Sequence, residues 1–375
     1  MPRSVTPTRA RTDCPGRAPS GFRAYCPLFR AHRIVVLQSR TPDLIWACGY
    51  RAEAEISPLC RRMQFAKLNL RVSAVQVRSL LRCACWLSPF LLAASGGHTQ
   101  SAPSLELVRP SQADPAIREF DENNVVLAPP GVARDAPLAL FLPGTHGRPM
   151  NALLLMNVIA GQGYRVIGLS YNDVPAVAQV CPRDPNPQCS ARFREMRTFG
   201  QGSAPVTNPD DETIEARLAA LLQFLDREHP DDGWSQYLTQ NAQPQWSCIA
   251  VSGLSQGAGM AAYIAKTHMV YRVVLFSSPW DTTGRDRRPA PWLYRPSATP
   301  PDLWWAERHV RENTTELIAN AYSALRIPKD HTLLFDQGLA KAPGPEEKNP
   351  YHPSTIMNPA YEPQWRVLYG IAGAP

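Results

Sequence analysis

Gly253-Leu254-Ser255-Gln256-Gly257 stands directly between a short apolar run, 247–252, and a helical segment, 257–268. A serine on a sharp strand-to-helix turn has strained backbone angles, and the turn closes only if its neighbours are small. Such a turn lifts Oγ clear of the sheet edge and aims the helix N-terminus at it. It also commits the chain to a strand whose successor is a helix crossing back over the sheet. The rest of the pattern agrees. Apolar runs at 136–142, 164–171, 271–276, 303–310 and 331–335 alternate with helical segments at 150–160, 315–325 and 363–369. Ile214, Leu218, Leu221, Leu222 and Leu225 mark one face of a further helix, for which Asn208 is the predicted cap, with Pro209 and two acids after it. The expected fold class is α/β, a doubly wound, mostly parallel sheet with helices on both faces. Residues 172–200 read as a loop, and Pro-rich 280–301 as an insertion.

Charge separates the chain into parts. Residues 1–62 hold eleven Arg, no Lys and four acids, and 63–101 add Lys67, Arg71, Arg78 and Arg82 without an acid. The remainder, 102–375, has 24 basic and 28 acidic residues, so the +7 of the whole chain belongs to its leader. A net-negative body excludes a nucleic-acid partner. Residues 1–62 are expected to be a disordered extension or an upstream mis-start, with Met63 the initiator. Behind Met63, the four basic residues, an apolar stretch at 83–95 and small residues at 93–97 form a secretory signal peptide, or an uncleaved anchor of the same appearance. Once the signal is removed, no stable membrane insertion is expected, and the protein is secreted or periplasmic. In that oxidising setting, Cys181 and Cys189, at the ends of a polar Pro-rich loop, are expected to form a disulfide. Cys248, in a strand-like run, reads as a buried free thiol.

A serine hydroxyl is a weak nucleophile until a base takes its proton. In a doubly wound sheet the site gathers at the carboxyl ends of the strands, and of the eight His only His352 follows the nucleophile at such an end. It is expected in a loop after the last strand. The acid is Glu312, after the 303–310 strand, with Asp281, after the 271–276 strand, as the alternative. Donors for a tetrahedral oxyanion are the amide of Gln256 and that of Thr145 or His146 in Pro143-Gly144-Thr145-His146-Gly147. No metal or organic cofactor is implied. Trp280, Trp292, Tyr294, Trp304 and Trp305 gather near the insertion, either lining an apolar pocket or packing beneath a loop.

The order of elements, the His-Gly loop, GLSQG and His352 resemble the α/β-hydrolase superfamily of serine hydrolases over about residues 136–370. More narrowly, 168–195, FSSPWD, 305–313 and YHPSTI with Tyr361 and Trp365 are similar to secreted bacterial members of undefined substrate. In that group the strand before Glu312 usually ends in Asp, and this chain departs there. The resemblance implies a serine hydrolase acting on a small-molecule or acyl-ester substrate, most simply a carboxylic ester, through an acyl-enzyme. Amide, thioester or glycan-linked acyl groups suit the same triad. The competing expectation is a non-catalytic binding module on the same fold.

Overall fold

Leu138, Leu140 and Leu142 alternate with Ala139 and Phe141 along one strand, and all five are buried. Successive side chains leave a strand on opposite faces, so a strand buried throughout has to lie between two covering layers. The computed structural model describes residues 33–38, 45–50, 102–344 and 348–373. Strands β1 (Arg33–Gln38) and β2 (Ile45–Tyr50) pair antiparallel in a unit of their own. The remaining leader, including the expected signal peptide, lies outside the described residues.

The main sheet comprises β3 (Ser104–Val108), β4 (Asn124–Ala128), β5 (Leu138–Leu142), β6 (Arg165–Gly168), β7 (Ile249–Leu254), β8 (Arg272–Phe276), β11 (Trp304–His309) and β12 (Thr332–Phe335). Two-residue strands β9 (Thr282–Thr283) and β10 (Arg288–Pro289) form a separate hairpin. The strands of the main sheet lie in the order β12-β11-β8-β7-β5-β6-β4-β3. Only β4 runs against the others, pairing antiparallel with both β3 and β6.

The helices are α1 (Pro110–Ala113), α2 (Leu153–Ala160), α3 (Val177–Val180), α4 (Cys189–Phe199), α5 (Ile214–Glu228), α6 (Gln256–Thr267), α7 (Thr315–Leu325), α8 (Tyr351–Met357) and α9 (Glu362–Tyr369). Leu138, Leu140, Val251 and Leu275 join Phe193, Leu221, Met260 and Ile318 in one core, built on α4 to α7. Ala139, Phe141, Ala250 and Val274 join Leu155, Ile159, Trp365 and Leu368 in the other, built on α2 and α9. The predicted doubly wound sheet is therefore present.

Three local expectations give way. The stretch 172–200 is not all loop, since it contains α3 and α4. Asn208 does not cap α5; Thr213 does, its hydroxyl accepting the amide of Ala216 at 3.0 Å. Pro209 and the acids after it form a 3-10 turn, Asp210–Glu212, just ahead of that cap. His352 is not in a loop but is the second residue of α8.

Candidate active site

Ser255 sits between β7 and α6 with φ 55° and ψ −119°, in a region that non-glycine residues seldom occupy. The turn is held by the Ser255 amide, which donates to the carbonyl of Phe276 on β8 at 3.0 Å. It is possible only because residues 253 and 257 are glycines. A Cβ on Gly253 would lie 2.5 Å from the carbonyl oxygen of Leu142, and one on Gly257 would overlap that same oxygen. The elbow thus rests on the end of β5, and the loop that follows β5 runs beside the serine. A Cβ on Gly144 would come within 3.0 Å of Ser255 Cβ.

That loop is tied down from the far side. The amide of Gly147 donates to Asp173 Oδ2 at 3.1 Å, and burial pushes the Asp173 carboxyl up to about 6. Gln256 fastens the same region by its side chain. Its Oε1 accepts the Val177 amide at 2.8 Å, while its Nε2 donates to the Asp173 carbonyl at 2.8 Å. Its backbone amide is left in the first turn of α6, beside Ser255. Thr145 and Gln256 both line the cavity that Ser255 opens into. His146, with φ 59°, is not among the lining residues.

His352 Nδ1 and Glu312 Oε2 are 3.0 Å apart, the Glu312 side chain being wholly buried and that of His352 18% exposed. Glu312 lies just beyond β11 and accepts further bonds from the His309 amide at 3.2 Å and from the Ser277 hydroxyl. Ser277 directly follows Phe276, the residue that holds the elbow, so a continuous set of bonds runs from Ser255 to His352. Glu307, on β11, belongs to the same cluster, its Oε1 lying 3.3 Å from Ser277 Oγ. Burial, reinforced by the adjacent Glu312 carboxylate, pushes the Glu307 carboxyl well above the ordinary range.

Asp281 keeps different company. Its carboxylate takes both prongs of the Arg194 guanidinium, at 2.7 and 2.5 Å, and the Trp292 indole N–H at 3.0 Å. The pair is buried on both sides. Arg194 also lies across α6 where Gly259 leaves room, since any Cβ there would collide with the guanidinium. The two carboxylates offered by the sequence are thus separated: Glu312 meets His352, and Asp281 meets Arg194.

The cavity in front of Ser255 has a volume of about 350 Å³. Its walls are drawn from the 176–190 segment and the β9–β10 hairpin, together with Ser255, Thr145 and Trp280. Cys181 is joined to Cys189 by a disulfide, as expected, and so braces the first wall. Cys248 is buried and disulfide-bonded, contrary to the free thiol expected of it. Of the aromatic group near the insertion, Trp280 lines the cavity, while Trp292 and Trp304 are buried in the core built on α4 to α7. Trp305 stacks on His331 at 3.9 Å, and Tyr294 is exposed.

The eight-strand order with one reversed second strand, and the serine elbow after the fifth strand of that sheet, decide the architecture. This is the α/β-hydrolase fold. The chain matches no family model and no curated protein sequence. Its α/β-hydrolase core is similar in arrangement to several solved structures. A bacterial heroin esterase is 13% identical, with 74% of this chain and 85% of that chain covered and a TM-score of 0.38. A putative dienelactone hydrolase from Klebsiella pneumoniae is 10% identical, with 72% and 99% covered and a TM-score of 0.37. The protein TT1662 from Thermus thermophilus is 12% identical, with 71% and 99% covered and a TM-score of 0.36. Among the described residues, no helix is long and apolar enough to cross a membrane.

Arg194, Asp173, Ser277 and Glu307 take part in the site without having been singled out in the sequence. An arginine in a helix such as α4, with Phe193 also turned inward, is a signal for a buried ion pair once the helix is recognised. Ser277 and Glu307 carry no sequence signal, because their part in the site depends on how β8 and β11 lie side by side.

Proposed function

We propose that this protein is a secreted or periplasmic serine hydrolase that cleaves carboxylic esters through Ser255, His352 and Glu312. The observation that carries the reading is the 3.0 Å contact between His352 Nδ1 and the buried Glu312 carboxylate, joined through Ser277 and Phe276 to the Ser255 elbow. A buried carboxylate on Nδ1 fixes the tautomer that leaves Nε2 free to accept a proton, and it stabilises the imidazolium formed afterwards.

In this reading Ser255 Oγ attacks the ester carbonyl carbon while its proton passes to His352 Nε2. The carbonyl π electrons move onto oxygen, and the amides of Gln256 and Thr145 donate to the resulting oxyanion. Thr145 is preferred to His146 because it lines the cavity. Collapse breaks the C–O bond to the alcohol, which leaves with the proton from His352. Water then attacks the acyl-enzyme, losing its proton to His352, and the second collapse returns the proton to Ser255. Export is supported by the Cys181–Cys189 disulfide, a linkage of oxidising compartments.

The test is turnover of simple phenyl esters by Ser255→Ala, His352→Ala and wild type. Loss of turnover in both variants with folding retained is expected. A wild type inert towards all acyl esters would instead favour a binding module on the same fold.

A further inference from the structure

The hairpin wall of the cavity has the sequence Gly284-Arg285-Asp286-Arg287-Arg288 at and beside its tip. Pairing of Thr282 with Pro289 and of Thr283 with Arg288 leaves four residues, 284–287, to make the turn. The turn is closed by the Arg287 amide on the Gly284 carbonyl at 3.2 Å. Asp286 is the sole acid of the tip, and its charge is taken by Arg288 at 2.7 Å, out in solvent. Arg285 and Arg287 line the cavity, and among the described residues neither has an ion-pair partner. Asp281 is the single acid of the cavity wall, and Arg194 neutralises it from within the fold. The cavity of a net-negative body therefore carries two uncompensated guanidinium groups.

The root of the hairpin is firmly held. Besides Arg194, Asp281 engages Trp292, and its carbonyl accepts the Ala290 amide at 2.9 Å. The two arginines thus stand on a braced base and line the same cavity as Ser255, the space available to an acyl group bound to that serine. Guanidinium groups pair with carboxylates by directed, charge-assisted bonds, and a cleft bearing one sign of charge concentrates the opposite ion.

We infer that the cavity selects esters whose acyl part carries a second, free carboxylate, held by Arg285 and Arg287, so that the substrate is a dicarboxylic acid monoester. This rests on the hydrolase reading above. The experiment compares kcat/KM for two esters of equal chain length, monophenyl adipate and phenyl hexanoate, in wild type, Ser255→Ala and arginine variants. Wild type should favour the adipate ester by about tenfold or more at low salt, with the ratio falling as ionic strength rises. The ratio should collapse towards one in Arg285→Ala/Arg287→Ala, survive in part in the double Lys variant and invert in the double Glu variant. Ser255-dependent turnover of both esters with no preference in wild type, or a preference unmoved by the double Ala variant, overturns the inference and leaves the hydrolase reading standing. Turnover that persists in Ser255→Ala removes both.

Discussion

Glu312 and Asp281 are both buried carboxylates near the carboxyl edge of the sheet, and they differ in what each one neutralises. Glu312 faces an imidazole whose charge comes and goes, whereas Asp281 faces a guanidinium whose charge is permanent. Glu312→Gln should therefore lower kcat by roughly 10³- to 10⁴-fold while the unfolding midpoint stays near that of wild type. Asp281→Asn should act on stability instead, because it leaves Arg194 buried without its counter-charge, at a cost of about 3–5 kcal/mol in urea unfolding. Asp173 offers a test in pH. Burial raises its carboxyl from an ordinary value of 3.8 to about 6 in the folded protein. The folded state then binds more protons than the unfolded one between those values, so this group's contribution is full below pH 4 and is lost as pH rises through 6. Asp173→Asn keeps an oxygen for the Gly147 amide and removes that loss. Its melting temperature should match or exceed wild type at pH 7.5, with the advantage disappearing at pH 4. A variant less stable at pH 7.5 than at pH 4, relative to wild type, would contradict this.

At the scale of elements, the cavity walls matter most. The disulfide closes a loop between residues eight apart, and constraining so short a loop is worth roughly 2–3 kcal/mol. Cys181→Ala/Cys189→Ala should lose about that much in denaturant unfolding. Its kcat/KM should also fall, since the same loop lines the cavity. Strands β5, β6, β7, β8 and β12 were legible because each is a short, mostly apolar run, β11 because Trp304, Trp305 and Ala306 open it, and the elbow because its glycines have no substitute. Helix α4 was not, because Arg194 and Arg197 disguise its inward face. Burial of Arg194 becomes tolerable only through Asp281, 87 residues away in the chain. Strand β3 escaped for a different reason. Leu105 and Leu107 point outward on an edge strand, so β3 lacks the apolar continuity of its neighbours. His352 was found by its place in the chain, yet its helix was hidden by Pro350 and Pro353, which sit acceptably at a helix start.

For the molecule as a whole, the sheet brings residues from four separate strand ends to one edge. Ser255 follows β7, Ser277 follows β8, Glu312 follows β11, and the Gly144–Gly147 turn follows β5. None of these groups is near another in the chain, and the right-handed crossovers of a parallel sheet are what assemble them. The central claim is that this edge makes Ser255 a nucleophile. Its most direct test is intact-protein mass spectrometry after exposure to a fluorophosphonate, with peptide mapping of the adduct, on wild type, His352→Ala and Ser255→Ala. A single phosphonyl adduct on Ser255 is expected in wild type, greatly slowed in His352→Ala and absent from Ser255→Ala. Wild type that remains unlabelled, or an adduct on another residue that persists in Ser255→Ala, would contradict the account.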